Sequence, residues 1–180
     1  MNKISLSETF LFHHFKPKKL NVFNEDLKKF ILTHNLILDN DIFCDANKKY
    51  FSLNFHKQLQ WLRDFYSDEL SFLLNKSLFH FKTCALVLKS NESLDLHNHN
   101  DRWDLPNQSD VSALYVVSQD NFQSKLIFEY DNNRFVDKKY QIPLENDKII
   151  IFNSTLNHKI TKNENKNNTI FLSFRYQFIN

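Results

Sequence analysis

The absence of glycine constrains this chain more than any other feature of its sequence. None of its 180 residues is a glycine, although glycine is the residue that most readily adopts the left-handed backbone of tight turns. Asparagine is the next most tolerant residue. It is abundant where turns are expected, namely at Asn132, Asn133, Asn146, Asn163, Asn165, Asn167 and Asn168. The sequence therefore predicts turns built on asparagine, and motifs that depend on glycine are weakened.

The composition is typical of one soluble globular domain, with 42% hydrophobic and 24% charged residues. We expect a single domain over residues 1–180 with one core. The net charge of +2 comes without a basic face, so there is no nucleic-acid signal. No apolar run approaches the length of a membrane span, and the N-terminus lacks a signal-peptide pattern. These features predict a cytoplasmic protein, in which the distant Cys44 and Cys84 are free thiols.

The first part of the chain, residues 1–77, has mostly helical patterns and is expected to form a helical support. Asn24 can cap a helix whose Leu27 shares an apolar face with residues 30 and 31. A second helix is expected to begin at Asn54, with apolar residues recurring at helical spacing. Residues 67–69 resemble a further helix start.

The second part, residues 78–180, contains short strand-like runs separated by turns. About eight such runs after a helical segment predict an α+β, mainly β architecture, a sandwich or barrel with helices packed on one face. The expected strands cover residues 79–88, 94–99, 111–117, 125–130, 135–142, 148–152, 157–161 and 169–178.

The motif 97-HNHND-101 is the strongest candidate for chemistry. Alternate side chains of a strand share a face, so His97, His99 and Asp101 can converge. His158 follows the strand-like run 148-KIIIF-152 and a short turn. An H-x-D motif with a distant histidine is the sequence form of the two-histidine, one-carboxylate site that binds Fe(II) and keeps one face open.

Two stretches resemble the 2-oxoglutarate/Fe(II)-dependent oxygenases, closest to their small prolyl-hydroxylase-like microbial and phage members. The segment 143-PLENDKIIIFNSTLNHKITKN-163 is similar to the family's pattern of Pro, acidic turn, β run, Phe-x-Ser and His. The second stretch, 97-HNHND-101 followed by 112-SALYVV-117, is similar to its metal-binding strand and Ser-x-x-Tyr. The likeness covers residues 84–178. It implies a double-stranded β-helix, a jelly-roll or cupin-like barrel.

The resemblance also implies a non-haem iron dioxygenase that uses Fe(II), 2-oxoglutarate and O2. His99, Asp101 and His158 match the iron ligands, and His97 is an alternative proximal ligand because small relatives often have H-x-H at this point. Tyr115 matches a strand position that often contacts 2-oxoglutarate.

One position departs from the family. Its members usually place an Arg or Lys about eleven residues after the distal histidine, where the cation binds the far carboxylate of 2-oxoglutarate. This chain has Thr169 there. Arg175 is an even number of residues further along the same strand, so it shares a face with Thr169 and is the candidate carboxylate ligand. Lys82 and Arg134 are weaker substitutes.

Two other functions stay open. A cupin-like metalloprotein would bind metal through His97, His99 and His158, with Asp104 as a carboxylate, and would not use 2-oxoglutarate. A non-catalytic barrel would have kept the shape and lost the cofactor.

The substrate is expected to be a small molecule or a protein side chain, hydroxylated at an unactivated C–H bond. Trp103 is expected at the rim of its pocket. The nineteen phenylalanines exceed what a core needs and leave a homodimer possible.

Overall fold

The computed structural model describes residues 2–6, 9–18, 22–33, 57–99, 108–121, 124–130 and 138–179. These residues form two helices and ten strands. The helices are α1 (Asn24–Thr33) and α2 (Lys57–Leu74). The strands are β1 (Asn2–Leu6), β2 (Thr9–Phe15), β3 (Leu78–Leu88), β4 (Leu94–His97), β5 (Val111–Ser118), β6 (Lys125–Tyr130), β7 (Lys138–Pro143), β8 (Lys148–Asn153), β9 (Asn157–Ile160) and β10 (Thr169–Phe178).

The strands form two antiparallel sheets. The larger sheet has the order β1-β2-β8-β5-β10-β3, and the smaller has β4-β9-β6-β7. Strands that follow each other in the chain alternate between the sheets from β3 to β6, and again from β7 to β10. This alternation is the double-stranded β-helix, and it confirms the expected mainly β fold with helices on one face.

Alternate side chains on the strands of the larger sheet face two different apolar cores, one on each side of the sheet. On β5, Ala113 and Tyr115 face the helices, whereas Leu114 and Val116 face the smaller sheet. The strand has no exposed residue, because both of its faces are covered. Side chains that share a face with Leu114 therefore line the interior between the sheets.

Helix α2 packs on the outer face of the larger sheet through one row of apolar side chains. Leu59, Leu62, Tyr66 and Leu70 recur at helical spacing, and all four are buried. Burying a leucine contributes about 1.5–3 kcal/mol, so this stripe is a large part of what holds the helix on the sheet.

The expectation of a helical support over the first 77 residues is only partly correct. Helix α1 begins at Asn24 as expected. Residues 2–6 and 9–15 are strands, and β2 pairs with β8 to extend the larger sheet. The expected second helix start at residues 67–69 is wrong, because α2 runs through that stretch without a break.

Asparagine does supply most of the left-handed turns. Among the described residues, positive φ angles occur at Asn75 (51°), Asn91 (70°), Asn121 (58°) and Asp147 (66°). The residue type is the expected one, but the positions are not. Asn146 precedes Asp147, which has the positive φ angle instead. The φ angles of Asn163, Asn165, Asn167 and Asn168 are not positive. Asn132 and Asn133 lie outside the described residues.

Neither described helix combines the length and the apolar character needed to cross a membrane.

Candidate metal centre

Three histidines meet at one end of the interior between the sheets. His97 ends β4, and its cross-strand neighbour is His158 on β9. Their ring centroids are 4.3 Å apart. The ring of His99, just beyond β4, is 4.8 Å from that of His158 and 5.3 Å from that of His97.

The separations of the rings are close to those of a bound metal set. One ring nitrogen from each histidine lies within 4.8 Å of the other two. Two nitrogens that each bind one metal at about 2.1 Å are at most about 4.2 Å apart. An upper limit of 4.8 Å is close to this value, so the three nitrogens are near enough to one another to share one ion.

Hydrogen bonds select the tautomer that binds metal. The Nδ1 of His97 lies 2.8 Å from the carbonyl oxygen of Asp95, and the Nδ1 of His158 lies 2.8 Å from that of Leu156. A carbonyl can only accept, so each Nδ1 carries the proton. The Nε2 of each ring therefore keeps its lone pair for a metal.

His99 is oriented by two serines. Its Nδ1 lies 2.6 Å from the hydroxyl of Ser112, which in turn lies 2.7 Å from the hydroxyl of Ser154. The backbone N–H of His99 also donates to the carbonyl of Ser154 at 2.9 Å. The sequence did not predict either serine as a support of the site. The available signal was Ser112, a hydroxyl side chain near the start of the otherwise apolar run 111–117.

All three histidines are held neutral. Burial, followed by the nearby charges of His97 and Arg175, lowers the pKa of His158 to about 3. Burial also lowers the pKa of His99 well below 6.5, with His158, Arg175, His97 and Lys82 adding to it. The pKa of His97 is lowered mainly by burial. Protons therefore do not compete for these nitrogens near neutral pH.

Arg175 lies on the interior face of β10, beside the histidines. It is among the residues that line the cavity there. Its Nε is buried, and no described residue accepts a hydrogen bond from it. Its neighbour on β3 is Lys82, whose charge also reaches His99. A half-buried guanidinium whose Nε–H has no acceptor among the described residues is suited to binding an anion.

The structure separates Tyr115 from this site. Its side chain faces the helices, on the opposite face of β5 from Leu114, which lines the cavity. The hydroxyl of Tyr115 lies 2.7 Å from Asn24 Oδ1 and 2.8 Å from Asp147 Oδ1. Its contacts therefore join strands to helix α1.

The structure describes two of the other residues singled out in the sequence, and five lie outside its described part. Thr169 is buried on β10, opposite Leu88. Cys84 is buried and forms no disulfide with a described residue, as expected. Asp101, Trp103, Asp104, Arg134 and Cys44 lie outside the described residues, so their predicted roles stay predictions.

Solved structures, but no curated protein sequences, are similar to this chain. No family model matches the sequence, and no curated protein is significantly similar to it. Among solved structures, a prolyl-4-hydroxylase from Pseudomonas putida has a TM-score of 0.64 at 10% identity, over 94% of this chain and 88% of that one. The chain shares the double-stranded β-helix fold of this enzyme.

Two enzymes of nogalamycin biosynthesis are also similar to it. The carbocyclase SnoK, described as non-haem and α-ketoglutarate dependent, has a TM-score of 0.64 at 9% identity, over 92% of this chain and 78% of SnoK. The epimerase SnoN has a TM-score of 0.56 at 11% identity, over 68% of this chain. The match spans only 56% of SnoN.

Proposed function

We propose that this protein is an Fe(II)-dependent oxygenase that uses 2-oxoglutarate and O2 to hydroxylate an unactivated C–H bond. The observation that carries the proposal is the set of three neutral imidazoles beside Arg175, whose Nε is buried, at one end of the cavity between the two sheets. The superfamily fold supports it, and SnoN has been described in complex with Fe3+ and α-ketoglutarate, which is 2-oxoglutarate.

His97 and His158 would hold the iron through their free Nε2 atoms, and His99 would supply the third imidazole nitrogen. Bound iron would supply O2 activation, coupling loss of CO2 from 2-oxoglutarate, which becomes succinate, to insertion of one oxygen atom into the substrate's C–H bond. Three neutral imidazoles leave the full charge of Fe(II) uncompensated. A dianionic cosubstrate would supply the missing negative charge.

Arg175 would bind a carboxylate of the cosubstrate next to the metal. Its guanidinium can donate two parallel hydrogen bonds to a carboxylate. Since its Nε is buried without an acceptor, the anion satisfies a donor that is otherwise left unpaired at a cost of about 1–3 kcal/mol.

The chain's other contribution is exclusion of water. Leu86, Leu114, Phe152 and Ile160 line the cavity next to the histidines. Phe152 packs edge-on against His158 at 4.7 Å between ring centroids. An apolar wall limits water at the metal and strengthens the electrostatic contacts made there.

The proposal is tested by anaerobic titration of the apo-protein with Fe(II) and then 2-oxoglutarate. We expect stoichiometric iron binding, followed by the visible charge-transfer band of a chelated 2-oxo acid. The His158→Ala variant should bind no iron and show no band. Arg175→Ala should keep the iron but bind 2-oxoglutarate more weakly. Unaltered affinity would remove Arg175 from the site.

A cupin-like metalloprotein that does not use 2-oxoglutarate is the second candidate. Two observations favour it, namely a cluster of three histidines and the absence of a cation at position 169, where the family binds the far carboxylate. Iron binding without a charge-transfer band would support this function and contradict the first.

A further inference from the structure

A buried pair of hydroxyls lies behind the histidine cluster. Ser112 is near the start of β5, and Ser154 directly follows β8. Both side chains are fully buried. The Oγ of Ser112 lies 2.6 Å from the Nδ1 of His99 and 2.7 Å from the Oγ of Ser154. The two serines therefore form a short chain of hydrogen bonds that ends on the ring of His99.

Ser112 has one hydroxyl proton for these two contacts. Among the described residues, its Oγ has no other hydrogen-bond partner. If the proton points to His99, Nδ1 accepts it, and the ring proton is on Nε2. If the proton points to Ser154, Nδ1 carries the ring proton and donates it to the Oγ of Ser112. The direction of one hydroxyl proton thus sets the tautomer of His99.

Only one of these tautomers can bind a metal at the cluster. The Nδ1 of His99 is held by Ser112, so the nitrogen left for an ion shared with His97 and His158 is Nε2. A ring nitrogen that carries a proton has no lone pair for a metal. His99 is therefore a metal ligand only when the Ser112 proton points to Ser154.

Ser154 supplies the second acceptor for that proton. Its backbone is fixed on both sides, because its N–H donates to the carbonyl of Asp110 at 3.1 Å and its carbonyl accepts from the N–H of His99 at 2.9 Å. Its hydroxyl is thus held at Ser112 rather than at a histidine. Without this hydroxyl, His99 would be the one partner left for the Ser112 proton among the described residues.

We propose that Ser154 is a positioning residue of the metal centre. Its hydroxyl oxygen accepts the Ser112 proton and so keeps the Nε2 of His99 free for the ion. This inference rests on the metal site of the proposed function and adds to it a residue that does not bind the ion.

Removing the Ser154 hydroxyl should change the tautomer of His99. In Ser154→Ala, the Ser112 proton should turn to His99, which then has its ring proton on Nε2. Metal binding would need the opposite tautomer, in which the buried hydroxyl of Ser112 has no acceptor, and an unpaired buried group is costly. The two backbone contacts of residue 154 do not involve its side chain, so alanine keeps them.

The test uses Zn(II), which is diamagnetic and needs neither a 2-oxo acid nor O2. Calorimetry measures the zinc affinity, and nitrogen-15 NMR of the imidazole rings identifies the tautomer of His99. We expect Ser154→Ala to bind zinc at least about fivefold more weakly than the unmodified protein. The ring proton of His99 should be on Nε2 in the zinc-free variant and on Nδ1 in the zinc-bound unmodified protein.

The matched control is Thr155→Ala. It removes a hydroxyl from the next residue, which is exposed and whose Oγ1 donates to Asn153 Oδ1 at 2.5 Å. Both the zinc affinity and the tautomer of His99 should be the same in this variant as in the unmodified protein.

The outcomes separate this inference from the proposed function. An unchanged zinc affinity in Ser154→Ala would overturn the inference and leave the oxygenase function standing. A weaker affinity with the His99 proton still on Nδ1 in the zinc-free variant would do the same, because the loss would then be merely structural. If the unmodified protein binds neither Zn(II) nor Fe(II), the metal site of the proposed function is wrong, and this inference is wrong with it.

Discussion

The orientation of each histidine of the site depends on the group that its Nδ1 contacts. His97 and His158 use backbone carbonyls two residues before them, so their local backbone sets their tautomer. His99 uses Ser112 on another strand. The metal-binding form of His99 is therefore the one that depends on tertiary contacts.

The ligand set can be tested one residue at a time. If His97, His99 and His158 hold the metal, His97→Ala should abolish stoichiometric Fe(II) binding, and Asp101→Asn should leave it in place. Metal content after anaerobic loading and desalting measures this. His13→Ala is the control, because His13 lies on β2 and does not line the cavity. The opposite pattern would establish His99, Asp101 and His158 as the ligands.

Tyr115 is predicted to stabilise the fold rather than to bind cosubstrate. Its hydroxyl contacts Asn24 and Asp147, so Tyr115→Phe should lower the free energy of unfolding by about 1–2 kcal/mol. Urea denaturation measures this loss. The affinity for 2-oxo acids should not change. A selective loss of that affinity would instead restore the role implied by the family resemblance.

At the scale of elements, β3 and β10 carry both the cavity wall and part of the helix-facing core. His80 is on β3, where its Nε2 lies 2.8 Å from the hydroxyl of Thr83, and its ring packs against Tyr176 on β10. Burial, followed by the charge of Arg63, lowers the pKa of His80 to about 4. This strand pair is thus stabilised by a neutral histidine.

His80 makes stability depend on pH in a defined window. The unfolded chain binds its proton near pH 6.5, and the folded chain only near pH 4. The free energy of unfolding should therefore fall as pH decreases from about 6.5 to about 4, by up to about 3 kcal/mol from this residue.

The measurement is urea denaturation of the apo-protein across that pH range. His80→Gln should flatten the pH dependence relative to the unmodified chain. His158 and His99 will contribute a remaining slope, because their pKa values are also lowered. An unchanged slope in the His80→Gln variant would contradict the buried, neutral state of His80.

On the scale of the whole molecule, the histidine cluster lies where the edge pair β4–β9 of the smaller sheet meets the larger sheet. His97 and His158 belong to the smaller sheet, whereas the supports of His99, Ser112 and Ser154, lie on or just after strands of the larger sheet. A bound ion would join His97 and His158 to His99, whose hydrogen bond to Ser112 reaches the larger sheet.

Metal binding should therefore raise the stability of the entire domain. A ligand present at about 100 times its Kd and bound only by the folded state adds about 2.7 kcal/mol, which corresponds to roughly 5–10 °C in Tm for a chain of this size. Anaerobic thermal unfolding with and without Fe(II) measures the shift. His158→Ala should unfold at the same temperature in both conditions.

Local patterns in the sequence determined much of this fold. The expected strands at 125–130 and 169–178 are correct to the residue, because alternation and turn residues act over a few positions. Helix α1 and the convergence of His97, His99 and His158 were also predictable, the latter from strand parity together with the family resemblance.

Tertiary structure alone decided the rest. The hairpin of β1 and β2 forms against β8, so its strand character depends on a partner far along the chain. Tyr115 turned towards the helices because the register of β5 places Leu114 and Val116 inside. The cavity brings together Arg175 of the larger sheet and His97 and His158 of the smaller sheet, which lie far apart in the sequence. Short-range periodicity determines which residues share a face, whereas only long-range pairing determines what that face meets.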